Sequence, residues 1–165
     1  MHTHAATEAM LAESGIAWTA LRNGFYASTV SQLVGDAADT GVLAVPADGP
    51  VAWTAHVDLA RAAARILVDE GRFDGPTPPL TAAAACDMTD IAAILSARIG
   101  RPVEHRVVTD AEAERRLAAS GLPPTAIAIM LGLYRAARDH EFAATDPALA
   151  HILGANPCSL QKTLD

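Results

Sequence analysis

The residues predict a helical or mixed α/β domain, and three observations lead there. A length of 165 residues leaves room for one ordinary domain and none for a second. The composition, 51% hydrophobic with 4% aromatic and 19% charged residues, belongs to a globular chain and not to a disordered, collagenous or disulfide-stapled one. Apolar residues recur at helical spacing, interrupted by short apolar runs of strand length. Because 37 residues are alanine, burial per residue is expected to be modest.

Taken in order, Ala5 to Ser14 spaces Ala6, Met10 and Leu11 as one helix face, with Gly15 where a left-handed cap belongs. Ile16 to Leu21 reads as a short buried strand, broken by Arg22-Asn23-Gly24. A helix is expected from Tyr26 to about Ala38, then a strand at Val42 to Val45, a turn at Ala47 to Pro50 and a second strand at Val51 to Thr54. Asp58 is placed to cap an alanine-rich helix over Leu59 to Val68, closed by Gly71. The Gly- and Pro-dense stretch Arg72 to Pro79 is the one linker-like segment, and it punctuates a single domain rather than dividing two. Beyond it, a helix starts at Asp87 or Thr89 and stops at Gly100, and a strand covers Val103 to Val108. Thr109 and Glu112 form a capping-box signature, and helices follow at Pro123 to His140 and Pro147 to Leu153. The last of these has Asp146 as its cap and Gly154 as its stop.

A net charge of −7 without any cluster of Lys or Arg disfavours binding to nucleic acid or anionic membranes. Cys86 and Cys158 stand apart and outside any CxxC spacing, so neither a zinc cage nor a redox dithiol is indicated, and a reduced, cytoplasmic setting is expected. No targeting or membrane-spanning segment is read from the chain. His2, His4 and Glu8 are three potential ligands without a visible fourth or a second shell, so no metal is expected. Asp139-His140-Glu141 is explained by a histidine at a helix C-terminus, and no serine sits in a GxSxG elbow.

The opening block, His4, Thr7, Glu8, Leu11, Ser14, Gly15, Ile16, Trp18, Thr19, Leu21, Arg22, Asn23, Gly24, Phe25 and Tyr26, carries a resemblance. It continues through Asp58 to Ala63, Ile99 to Val103, Gly121-Leu122-Pro123 and Ser159-Leu160. In this order and spacing the residues resemble the second half of NmrA-like proteins, atypical short-chain dehydrogenase/reductases, with the type 2 NAD(P)H:quinone oxidoreductases as the closest branch. The resemblance implies an α/β chain that is the C-terminal half of a Rossmann-like NAD(P)-binding fold with a small helical substrate-side lobe. Residues 1–71 would hold the remaining Rossmann-like strands and helices, and residues 80–165 the α+β lobe. The family's opening strand, Gly-rich turn and helix, which hold the pyrophosphate, are not found, since no three glycines fit GxGxxG or GxxGxxG.

The resemblance also implies a site. His4 falls where related reductases carry a lysine or histidine beside the reacting groups, and Tyr26 is its catalytic companion; the competing explanation for His4 is a frayed terminal side chain. Asn23 and Gly24 follow the C-terminal end of a strand, where open α/β sheets bind ligands, and are assigned to the cofactor side. Phe25, Trp53 and His56, with Thr54 beside them, are assigned to the substrate side. Against this stands a plain strand-to-helix turn with aromatic rings in the core. The expected function is the substrate-side portion of an NAD(P)H-dependent oxidoreductase for a quinone-like acceptor. The alternatives are a non-catalytic ligand-sensing module and an inactive remnant. NAD(P)H is the family's cofactor, but tight binding by this chain alone is not expected. A homo-oligomer, or a partner chain carrying the nucleotide-binding half, follows from the same reading.

Overall fold

The computed structural model describes residues 2–69 and 71–164, with His2 described in its backbone alone. Helix α1 (His2–Glu13) leads to a two-residue strand β1 (Thr19–Ala20), a 3-10 turn (Ala27–Thr29), and short helices α2 (Val30–Leu33) and α3 (Ala37–Thr40). Strand β2 (Val42–Pro46), α4 (His56–Val68), β3 (Gly75–Pro76), α5 (Met88–Ile99) and β4 (Glu104–Val108) follow. Helices α6 (Asp110–Ala119), α7 (Pro124–Arg138), α8 (Ala148–Leu153) and α9 (Leu160–Leu164) complete the order. The class is mixed α/β.

Both sheets are parallel pairs. β1 lies on β3 with Thr19 opposite Gly75, and β2 lies on β4 in register from Val42 opposite Glu104 to Pro46 opposite Val108. The largest buried cluster joins Val30, Leu43 and Trp53 to Ile91, Leu95 and Tyr134. A second packs Leu59, Ala62 and Ile66 of α4 against Leu80 and against Leu149 and Ile152 of α8. Each of these two clusters draws residues from before and after the 72–79 stretch, in which Thr77 is 1% exposed and its hydroxyl accepts the N–H of Arg22 at 3.1 Å.

Several elements differ from the sequence expectation for identifiable reasons. The helix expected over 26–38 is broken. Tyr26 is extended (φ −80°, ψ 127°) because its strand-like pairing with Thr54 outcompetes helix formation, and Gly35, at φ +50°, separates α2 from α3. The run 16–21 keeps only two strand residues and is not buried, with Ile16 61% exposed. Val51 exchanges both backbone hydrogen bonds with Cys86, yet the N–H of Trp53 folds back to Val51 O at 3.0 Å, so 51–54 bends out of a ladder. Asp58 is not the cap of α4: the helix begins two residues earlier, Ala55 is its N-cap, and Asp58 sits in the first turn with its carboxylate buried. Helix α9 was not expected; the i, i+4 spacing of Leu160 and Leu164 is its signal.

Capping follows the sequence more closely. Asp87 Oδ1 accepts the N–H groups of Thr89 (2.8 Å) and Asp90 (2.9 Å), Asp90 Oδ2 accepts that of Asp87 (3.1 Å), and Gly100 ends α5. Thr109 Oγ1 accepts the N–H of Glu112 at 3.1 Å, the first half of the box expected there.

Asp48 completes the start of α5, its Oδ2 accepting the Met88 N–H at 2.8 Å. Burial raises its carboxyl pKa, and that bond only partly offsets it. A carboxyl whose pKa is raised on folding contributes stability below the ordinary carboxylate range and loses it as pH rises through the folded value. Asp48→Asn keeps an oxygen for Met88 and removes the charge. Its thermal midpoint is therefore expected to exceed the parent's at pH 7 and to converge with it below about pH 4; equal midpoints at pH 7 would contradict the assignment.

Candidate functional site

Three backbone segments that follow β1, β2 and β3 converge. Gly24 N–H donates to Leu80 O at 2.8 Å, Leu80 N–H to Arg22 O at 2.8 Å, Thr54 N–H to Phe25 O at 2.7 Å and Ala27 N–H to Thr54 O at 3.0 Å. Thr54 is the knot of this arrangement. Fully buried, its hydroxyl donates to Ala52 O and accepts the Ala82 N–H, each at 3.0 Å. A Cβ on Gly24 would lie 2.5 Å from Thr54 Oγ1 and 2.9 Å from Leu80 O, so the glycine permits the close approach of the strands.

Alternation along this backbone sorts the aromatic residues. Phe25 turns inward, its ring centroid 5.5 Å from Trp53 and 4.7 Å from Phe142. Trp53, 3% exposed, donates its indole N–H to Cys86 O at 3.0 Å. The void that these rings line with Asp48 and Tyr134 holds about 10 Å³, near the size of one water. In this conformation Trp53 is buried in the core and Phe25 is half-buried against it.

Tyr26 and His56 turn outward. Their rings stack at 4.4 Å with a tilt of 31°, Tyr26 is 43% exposed, and His56 opens the first turn of α4. Asn23 is exposed on the same loop as Tyr26. The arrangement presents a phenol hydroxyl and an imidazole on one aromatic shelf, able to stack a flat ligand and to share a proton with it.

His4 is exposed on α1 and makes no hydrogen bond or ring contact with this shelf among the described residues. The side chain of His2 lies outside the described residues. What ties α1 to the loop is Glu8, which accepts Arg22 Nε at 3.0 Å and Nη2 at 2.6 Å. That paired guanidinium lowers the Glu8 carboxyl pKa. Glu8 and Arg22 both stand in the opening block, but their pairing across 14 positions is visible only in three dimensions.

The amides of Gly24 and Ala27, which follow β1, are bonded to Leu80 O and Thr54 O and are not free to hold a phosphate.

No protein-family model matches the chain. It is 31% identical over 157 residues to an NmrA-like family domain-containing oxidoreductase, flvB, of Aspergillus flavus, covering 93% of this chain and 51% of that protein. It is 35% identical over 121 residues to quinone oxidoreductase 2 of Escherichia coli, covering 73% of this chain and 42% of that one. Among solved structures, the E. coli NADPH-dependent quinone oxidoreductase QOR2 in complex with NADPH aligns at a TM-score of 0.86 with 29% identity, over 98% of this chain and 57% of that chain. Triphenylmethane reductase of Citrobacter sp. aligns at 0.90 with 28% identity, over 99% and 57%. The chain is thus a homologue of the NmrA-like oxidoreductases with their Rossmann-like reductase fold, spanning about half the length of the curated relatives it matches.

Proposed function

We propose that this chain is the substrate-side, C-terminal half of an NAD(P)H-dependent oxidoreductase that reduces a flat quinone-like acceptor. Residues 1–71 carry the remaining Rossmann-like elements and 80–165 the substrate-side lobe. The observation that carries the reading is the exposed Tyr26–His56 stack at the ends of parallel-paired segments, where ligands of open α/β sheets bind. Homology to a quinone oxidoreductase agrees with it. Asn23, Tyr26 and His56 orient the acceptor and exclude water from one of its faces, and Tyr26 or His56 holds the proton that a reduced acceptor oxygen takes up. His4, on α1, is assigned to the same side once the nucleotide-binding half is in place. That half, with its dinucleotide site, comes from a second polypeptide or from sequence joined to this one. Its setting is the cytoplasm.

Calorimetric titration tests the division of labour. The isolated chain is expected to bind NADPH and NADH far more weakly than about 1 μM, some −8 kcal/mol, because the Gly24 and Ala27 amides after β1 are already bonded. Low-micromolar binding would overturn the assignment. With the nucleotide-binding half supplied, Tyr26→Phe and Asn23→Ala are expected to lower quinone turnover without moving the thermal midpoint. Unchanged kinetics in both would reduce the shelf to surface packing.

A non-catalytic ligand-sensing module is the second reading, favoured by the same spent amides of Gly24 and Ala27. Saturable acceptor binding without turnover, after the nucleotide-binding half is supplied, would select it.

A further inference from the structure

Asp58 is a buried carboxylate that the shelf does not use directly. It is 2% exposed and lies two residues after His56 in the first turn of α4. Its partner is 100 positions away: Oδ2 accepts the backbone N–H of Cys158 at 2.6 Å, and Oδ1 receives the Cys158 thiol at 3.7 Å. A carboxylate in the first turn of a helix is favoured by the helix dipole, and a short charge-assisted bond is stronger than a neutral one. Removing the Cys158 N–H would leave a buried charge without its partner, so the attachment is costly to break.

The far end of the same segment is fastened elsewhere. Leu160, 6% exposed, joins the core cluster of Ala27 and Val30, and α9 packs on the 3-10 turn that directly follows Tyr26. One stretch, 158–160, therefore links the start of α4, which carries His56, to the turn that directly follows Tyr26.

We propose that Asp58 is a positioning residue for this shelf: by holding the Cys158 backbone it sets, through Leu160, the spacing and tilt of the Tyr26 and His56 rings. The functional importance of that spacing rests on the acceptor-shelf reading above, whereas the mechanical link does not. A cap for α4 is the role that Asp58 would have had from sequence; the geometry gives that position to Ala55 and frees Asp58 for the C-terminal segment.

Nuclear magnetic resonance of the full chain tests the link. In Asp58→Ala, amide exchange over 26–30 and 157–164 is expected to accelerate roughly tenfold or more, the scale of one lost hydrogen bond to a charged group. The mutual ring-current shifts of Tyr26 and His56 are expected to collapse, while β2 and β4 amides keep their protection. Asp58→Asn, which retains an acceptor for the Cys158 N–H, restores most of both signals, and Cys158→Ala, which leaves that N–H in place, resembles the parent. Unchanged ring signals in Asp58→Ala, uniform acceleration over the whole chain, or the same defect in Cys158→Ala would each overturn the proposal. Should Asp58→Ala fail to fold, Leu160→Ala releases only the far attachment and must produce the same collapse of ring shifts; its absence overturns the proposal equally. Titration with menadione separates the two layers. A parent chain that shows the ring response but binds no menadione retains the link and loses the acceptor shelf.

Discussion

Gly24→Ala is expected to cost about 3 kcal/mol of unfolding free energy and to dismantle the junction of the three site segments. The added methyl would meet Thr54 Oγ1 at 2.5 Å and Leu80 O at 2.9 Å, and neither can retreat. Thr54 is fully buried with both hydroxyl bonds committed, and Leu80 O is held by Gly24's own N–H. Overpacking of this kind costs about 1–3 kcal/mol, occasionally more, and here it displaces backbone as well. A domain of ordinary stability has only about 5–15 kcal/mol to lose. Gly132 provides the contrast, since nothing lies within 4 Å of a Cβ there and it sits inside α7. Gly132→Ala is expected to stabilise by about 0.5–1 kcal/mol. Urea unfolding of the two variants measures both, and a Gly24→Ala midpoint equal to the parent's would mean that the segments are not held as close as described.

The isolated chain is expected to sediment as a dimer or larger species at micromolar concentration, unless the nucleotide-binding half is present. β1 pairs only with β3 among the described residues, leaving its other edge without backbone partners. Ile16, three residues before β1, is 61% exposed, Met10 on α1 is 71% exposed, and most residues of α1 are exposed. Parallel strands are ordinarily buried on both faces, and an apolar edge is a template for another chain. The chain spans about half the length of the relatives it matches, and the nucleotide-binding half proposed above is the expected cover for that edge. Adding that half is expected to convert the self-associated form into a one-to-one complex, with Ile16→Lys weakening both kinds of association. A monodisperse monomer with cooperative unfolding would show that the exposed edge needs no cover.

Signals that act within one helical turn were legible without coordinates. Asp87 and Gly100 bound α5 and Gly154 ends α8, whose N-cap is Pro147 and not the expected Asp146, although Asp146 Oδ1 still accepts the N–H of Ala148. Each depends on a side chain or a backbone conformation that its immediate neighbours decide. The loop 23–26 is read from the sequence as a candidate site because it follows a strand, and His56 because it follows the 51–54 segment. What was not legible was which rings face outward. The same aromatic residues satisfy either a core or a cleft, so Phe25 and Trp53 were indistinguishable from Tyr26 and His56 until the pairing register was known.

By itself, then, the sequence determined the mixed α/β class and helix ends such as those of α5, since hydrophobic period and capping chemistry are local. Tertiary structure alone decided that Tyr26 leaves the expected helix to pair with Thr54, that Glu8 holds Arg22, and that Asp58 holds Cys158. Each of those choices joins groups from 14 to 100 residues apart. The energy that selects them comes from buried donors and acceptors that must find partners, and no local pattern states which partner remains free once the chain has collapsed.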